Sequence, residues 1–267
     1  MKYQIFFLVI LFLGTALFFG CSSTTELTSS AIQNPIVVDG NSSDWGSNLK
    51  YMKDEKVAVG VTNNNNYFYL CLITNDVGKI LPMFRGGFAV WLENESNDDN
   101  SIGIKYPLHN IVNESRVMIN PESFREKGRG MMLEKMIKDQ DEKRILNKDN
   151  IPVTVISTSD SSGLMAKLGY TNDQFVYELR VPLKINEQNK YGVDASPGDK
   201  LVVKFETEKP ERPEFNGRGE GEGMRPGGMG SGGGMGGFPG GNSGGMQGGG
   251  ERTSFEPMDF SVEVTLK

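Results

Sequence analysis

Apolar side chains recur with period two in segment after segment of this chain, and that rhythm restricts those segments to sheets. Val57, Val59 and Val61 alternate with Ala58 and Gly60, and Ile102, Ile104 and Tyr106 follow the same spacing. So do Phe175, Tyr177, Leu179 and Val181, then Leu201, Val203 and Phe205, and finally Phe260, Val262, Val264 and Leu266. Strict alternation over such lengths is the signature of half-buried strands. Residues 67–73 are apolar on both faces, as in a central strand covered on both sides. Residues 87–93 form another strand, with Phe88, Val90 and Leu92 on one face and Trp91 on the other. These segments predict an all-β chain, an antiparallel β-sandwich of immunoglobulin or jelly-roll type.

Two stretches break the rhythm. Residues 120–150 contain Pro121, Gly128 and Gly130, then i,i+4 apolar pairs Met132/Met136 and Leu133/Ile137 on a charged background, which predicts a helical insertion. Residues 208–257 hold most of the 34 glycines with scattered methionines. Such a composition buries too little apolar surface to offset its ordering entropy, and disorder is expected. A good strand follows it, so it is a loop between the last two strands of one domain spanning 32–267.

That domain opens at residues 36–45, where Ile36, Val37 and Val38 run into Asp39-Gly40, followed by Asp44 and Trp45. Gly accepts φ > 0 and the Asp side chain bonds the backbone ahead, so Asp39-Gly40 is a turn. The pattern predicts an opening strand with Trp45 folded back as a plug over one sheet.

The first 20 residues have a basic start, Lys2, and an apolar run too short to span a bilayer, which takes about 20 residues. They read as an export signal. Its end, Leu17-Phe18-Phe19-Gly20-Cys21, resembles a bacterial lipoprotein signal, in which the cysteine is lipidated. That implies a lipid-anchored envelope protein, at the outer membrane, with residues 21–31 as a polar tether. The formal net charge of −6 argues against nucleic acid as partner. With two cysteines, Cys21 and Cys71, no disulfide framework is indicated, and a single histidine, His109, restricts acid–base and metal chemistry.

The turn at 38–40 with Asp44-Trp45, the strand pair 57–61 and 67–73, the strand at 87–91 and the strand at 175–183 ending in Val181-Pro182-Leu183 together resemble the family 9 carbohydrate-binding module and its wider set of DOMON-like β-sandwiches. The resemblance implies a sandwich that binds a glycan or other extracytoplasmic ligand without catalysis. Structural calcium occurs in such folds, and haem b is the ligand of related branches.

Site candidates follow from chemistry. Trp91 is a candidate platform for a sugar face, with Tyr106 and Tyr170 beside it, and each has core packing as its alternative. Asp39 and Asp44 offer carboxylates to a calcium ion, or else fix the turn through hydrogen bonds. For haem, His109 with a methionine or lysine would supply axial ligands. No Gly-x-Ser-x-Gly elbow or Cys-His signature accompanies the histidine, so no catalytic residue and no resident cofactor is expected. A structural or assembly role is the remaining alternative.

Overall fold

The computed structural model describes residues 25–31, 36–108, 126–147, 152–160, 162–208 and 256–267. The first 24 residues with Cys21, His109, and the glycine-rich segment apart from its two ends lie outside these residues. The described chain is an all-β sandwich of two sheets, as the periodicity predicts.

In chain order the elements are β1 (Thr25–Thr28), β2 (Ser30–Ala31), β3 (Leu49–Met52), β4 (Val57–Asn63), β5 (Tyr67–Thr74), α1 (Val77–Gly86), β6 (Phe88–Asn94) and β7 (Asn97–Lys105). Then come α2 (Glu126–Lys138), β8 (Glu142–Leu146), β9 (Pro152–Ser157), β10 (Met165–Thr171), β11 (Gln174–Pro182), β12 (Lys200–Thr207) and β13 (Asp259–Thr265). The first sheet runs β1-β13-β12-β6-β7-β8-β9 and the second β10-β11-β5-β4-β2, with β3 also on β4. Every pairing is antiparallel except β1 with β13 and β2 with β4.

Alternation puts Phe88, Val90 and Leu92, Val203 and Phe205, and Val262 and Val264 on the inner face of the first sheet. Phe68, Leu70 and Leu72, with Phe175, Tyr177, Leu179 and Val181, face them from the second. An aromatic chain crosses the interface. Phe205 stacks on Phe260 at 4.6 Å between centroids, and Phe88 meets Tyr177 edge-on at 5.2 Å. Offset and edge-on pairs of this kind add stability beyond their buried area.

Three expectations are corrected, and one element is added. Residues 25–31 are not tether but two strands, one in each sheet. Ser29 is fully buried, and its hydroxyl bonds Asn63 Oδ1, which also accepts the Lys267 amide at 3.0 Å. One amide side chain thereby joins the beginning and end of the domain. Residues 36–38 form no strand, and the Val37 amide goes to a side-chain acceptor instead of a ladder. Asp44 Oδ2 accepts the Val37 amide at 3.1 Å. The helical insertion is shorter than expected: α2 ends at Lys138, and residues 142–146 are strand β8. Helix α1 is absent from the sequence expectations altogether. Pro82 lies inside it, and the carbonyl that Pro82 leaves without a helical donor, Gly78 O, takes the Glu256 amide at 3.4 Å.

That contact matters for the glycine-rich segment. Its upstream root, Glu208, donates its amide to Gly87 O at 3.2 Å and pairs with the buried Lys105. Its downstream root sits on Gly78, so the two roots lie at opposite ends of α1, one on its first turn and one against Gly86 and its cap Gly87.

Lys143 on β8 turns its side chain inward, where it is fully buried and donates to Ser157 O at 3.1 Å. Burial lowers its ammonium to about 8, against the opposing pull of Asp160. The folded value lies below the ordinary one, so between about pH 8 and about 10.4 the unfolded chain binds more protons and stability rises with pH. Lys143→Met is expected to flatten that rise, as read from urea midpoints measured across this range. An unchanged slope would contradict it.

Candidate functional site

The stretch from Val37 to Trp45 folds into a closed loop over the outer face of the second sheet. The Asp39 carboxylate accepts the Asn41 amide at 2.8 Å, and Asn41 Oδ1 accepts the Ser43 amide at 3.0 Å, giving two successive Asx turns. Gly40 has φ +85, which suits glycine, and its backbone packs on β10 so closely that an added Cβ would lie 2.6 Å from Leu168 O. Trp45 is 1% exposed and packs with Val38, Tyr69, Cys71, Ile73 and Val176. The ring also lies against Gly60, where a Cβ would come within 2.8 Å of it.

The loop is held by a residue that the sequence reading passes over. Glu178 on β11 is fully buried beneath it. Its Oε1 accepts Trp45 Nε1 at 2.7 Å, and its Oε2 accepts the Asp39 and Gly40 amides at 2.9 and 2.7 Å. Burial raises its pKa, and the three donors pull the other way. Cys71, buried on the neighbouring strand, has its thiol pushed up by burial and by this carboxylate. One signal was available in the sequence: a lone acid amid Phe175, Val176, Tyr177, Leu179 and Val181, in a strand otherwise apolar around it.

Asp39 and Asp44 both turn to amides of their own loop, the alternative role set out for them above. Among the described residues, no three His, Cys, Asp or Glu side chains gather as a metal-binding group.

The three aromatic candidates do not converge. Trp91 lies on the outer face of the first sheet, 6% exposed, in a small cluster with Ala89 and Leu146. Its ring covers Gly103 on β7, where a Cβ would meet ring atoms at 2.7 to 2.9 Å. Lys204 is its register partner on β12, and Glu93 is exposed two residues along β6. Tyr106 is instead in the sandwich core beside Tyr177, its hydroxyl donating to Gln140 O at 3.4 Å. Burial, reinforced by Asp141, pushes that phenol up to about 12. Tyr170 stands at the edge of the second sheet, half-buried, and its hydroxyl donates to Asp173 Oδ1 at 3.1 Å. Of the three, Trp91 alone shares an outer sheet face with charged neighbours.

No family model matches this chain, and no curated protein does. Among solved structures it is similar to a family 9 carbohydrate-binding module from Caldicellulosiruptor kristjanssonii in complex with glucose, at 11% identity, 68% coverage of this chain, 77% of that one, and a TM-score of 0.35. It is also similar to the module from the same organism in complex with cellotriose, at 12% identity, 68% and 75% coverage, and a TM-score of 0.33.

Proposed function

We propose that this chain is a non-catalytic, lipid-anchored protein of the bacterial envelope whose sandwich binds a glycan on the outer face of the first sheet. The observation that carries the reading is the setting of Trp91. The absence of a side chain at Gly103 lets the indole lie flat on the sheet, and Lys204, Glu93 and Arg144 occupy the same face around it. Sugars are held by this combination, a ring for their C–H surfaces and charged groups for their hydroxyls. With 6% of its surface open, the ring offers a rim, and the charged neighbours supply most of the hydrogen bonds. The buried ionisable groups elsewhere support a binding role, because they are engaged in holding structure. Glu178 fixes a loop, Lys143 caps a carbonyl and Lys105 pairs with a segment root.

Anchoring rests on the apolar leader and on Gly20-Cys21. Four residue steps separate Cys21 from β1, about 14 Å at full extension, so a lipid on Cys21 keeps the domain close against the bilayer.

The test is affinity electrophoresis of the chain from Ser22 onward in gels containing a broad panel of polysaccharides. Retardation by at least one glycan is expected, and Trp91→Ala is expected to abolish it. Free migration in every gel would end the glycan reading. In the full chain, Cys21→Ser is expected to move the protein from the membrane fraction to the soluble one.

A further inference from the structure

Each sheet of a sandwich has two edges, and an edge strand left open is a template for another strand. Among the described residues, three of the four edges are guarded. Strand β1 carries Glu26, the β3 side of the second sheet carries Lys50, and β10 carries Lys167 and is packed by α2. The fourth is β9, the last strand of the first sheet. No residue from Pro152 to Ser157 is charged, and Val153 and Val155 are 60% and 48% exposed. Pro152 and the irregular register near Leu146 protect only its first residues. Beyond them, alternate amides and carbonyls point away from β8, as in any antiparallel edge.

We infer that β9 is a self-association edge, pairing antiparallel with β9 of a second copy about a two-fold axis at Thr154. The side chains favour that occupant. With Thr154 on the axis, Val153 lies opposite Val155 of the partner subunit, and the same pair recurs on the other side. Both exposed valines are covered by their own counterparts. An isologous pairing needs this self-complementarity, and β-branched cross-strand pairs favour it. The two first sheets then become one continuous sheet, with the Trp91 face repeated on both halves. A strand pair this short buries less than a standard interface, so a weak, concentration-dependent dimer is expected.

The experiment is light scattering after size exclusion, on the full chain in detergent and on the chain from Ser22 in buffer, over the micromolar range. The expected mass is twice that of the chain at the upper end, and Val155→Lys halves it without altering the circular dichroism or the melting temperature. A second arm reads register. In the chain from Ser22, Thr154→Cys is expected to form a disulfide-linked dimer on mild oxidation, and Val153→Cys is not. Buried Cys71 serves as the unreactive internal control. A monomer at every concentration overturns the inference and leaves the edge to a strand of another protein. A dimer that survives Val155→Lys, or that cross-links through Val153→Cys rather than Thr154→Cys, overturns it as well.

Discussion

Glu178→Ala is expected to lower the unfolding free energy by about 4 kcal/mol, the largest single loss in the domain outside the aromatic core. Three N–H groups that now share its carboxylate, from Trp45, Asp39 and Gly40, would be left without an acceptor under a loop that excludes water. An unsatisfied buried donor costs about 1 to 3 kcal/mol, and a domain's whole stability is about 5 to 15. Glu178→Gln keeps one carbonyl oxygen and is expected to lose about half as much. The pair also has a pH signature. Burial raises the folded pKa of Glu178 above the ordinary glutamate value. The folded chain therefore binds more protons in that window, and the stabilisation this supplies is full below the unfolded value and lost as pH rises through the folded one. The wild-type advantage over Glu178→Gln widens as pH is lowered toward about 4.3. Guanidinium denaturation at several pH values measures both effects. A loss below about 1 kcal/mol for Glu178→Ala would show that the loop stands without its clamp.

Gly169→Ala is the second large effect. Gly169 and Gly40 meet backbone to backbone, and a Cβ on Gly169 would sit 1.9 Å from the Gly40 carbonyl oxygen. Rotation of a side chain cannot relieve a clash between Cβ and main chain, so either β10 or the turn has to move. Overpacking of this kind costs about 3 kcal/mol. A moved turn also breaks the amide bonds to Glu178, so Gly169→Ala and Glu178→Ala are expected to be strongly non-additive, the double variant losing little more than the worse single one. Full additivity would mean that the turn is not what the clash displaces. Trp45 fluorescence is expected to shift to the red in both variants as the indole leaves its pocket.

The elements legible in the sequence were those whose neighbours do not matter. Strands β4, β6, β11, β12 and β13 fall where alternation puts them, and β5 where a run apolar on both faces does, because period two records which face of a strand is buried whatever lies against it. Trp45 was legible as a plug for the same local reason, an indole placed just past an Asp-Gly turn. Strand β8 was obscured by its place inside a charged segment, and it is a strand because β7 and β9 flank it. Helix α1 was obscured by Pro82, which reads as a breaker until Glu256, almost 180 residues away, supplies the missing donor. Strands β1 and β2 are polar and short, and they exist because Asn63 and the edge of β13 hold them.

The candidate site divides along the same line. The residue types at Trp91, Tyr106 and Tyr170 were readable as potential sugar platforms, yet their separation was not. One covers a glycine on an outer face, one is in the core and one is at an edge. Each position depends on the partner strand, which sequence spacing does not specify. Glu178 shows the limit most clearly. A single acid in an apolar strand is visible at once, and its three donors lie more than 130 residues upstream.

By itself, then, the amino-acid sequence determined that this chain folds as an all-β sandwich, that it makes a tight turn at Asp39-Gly40, and that an apolar run precedes Gly20-Cys21. These follow from local sterics and from the two-residue repeat of a strand. The tertiary structure alone decided that a buried carboxylate clamps the loop at 37–45, that the two ends of the glycine-rich segment are held at opposite ends of one helix, and that, among the described residues, β9 is an edge without a charged side chain. Those depend on which strand lies beside which, and long-range pairing is set by the packing of the whole core rather than by any stretch within it.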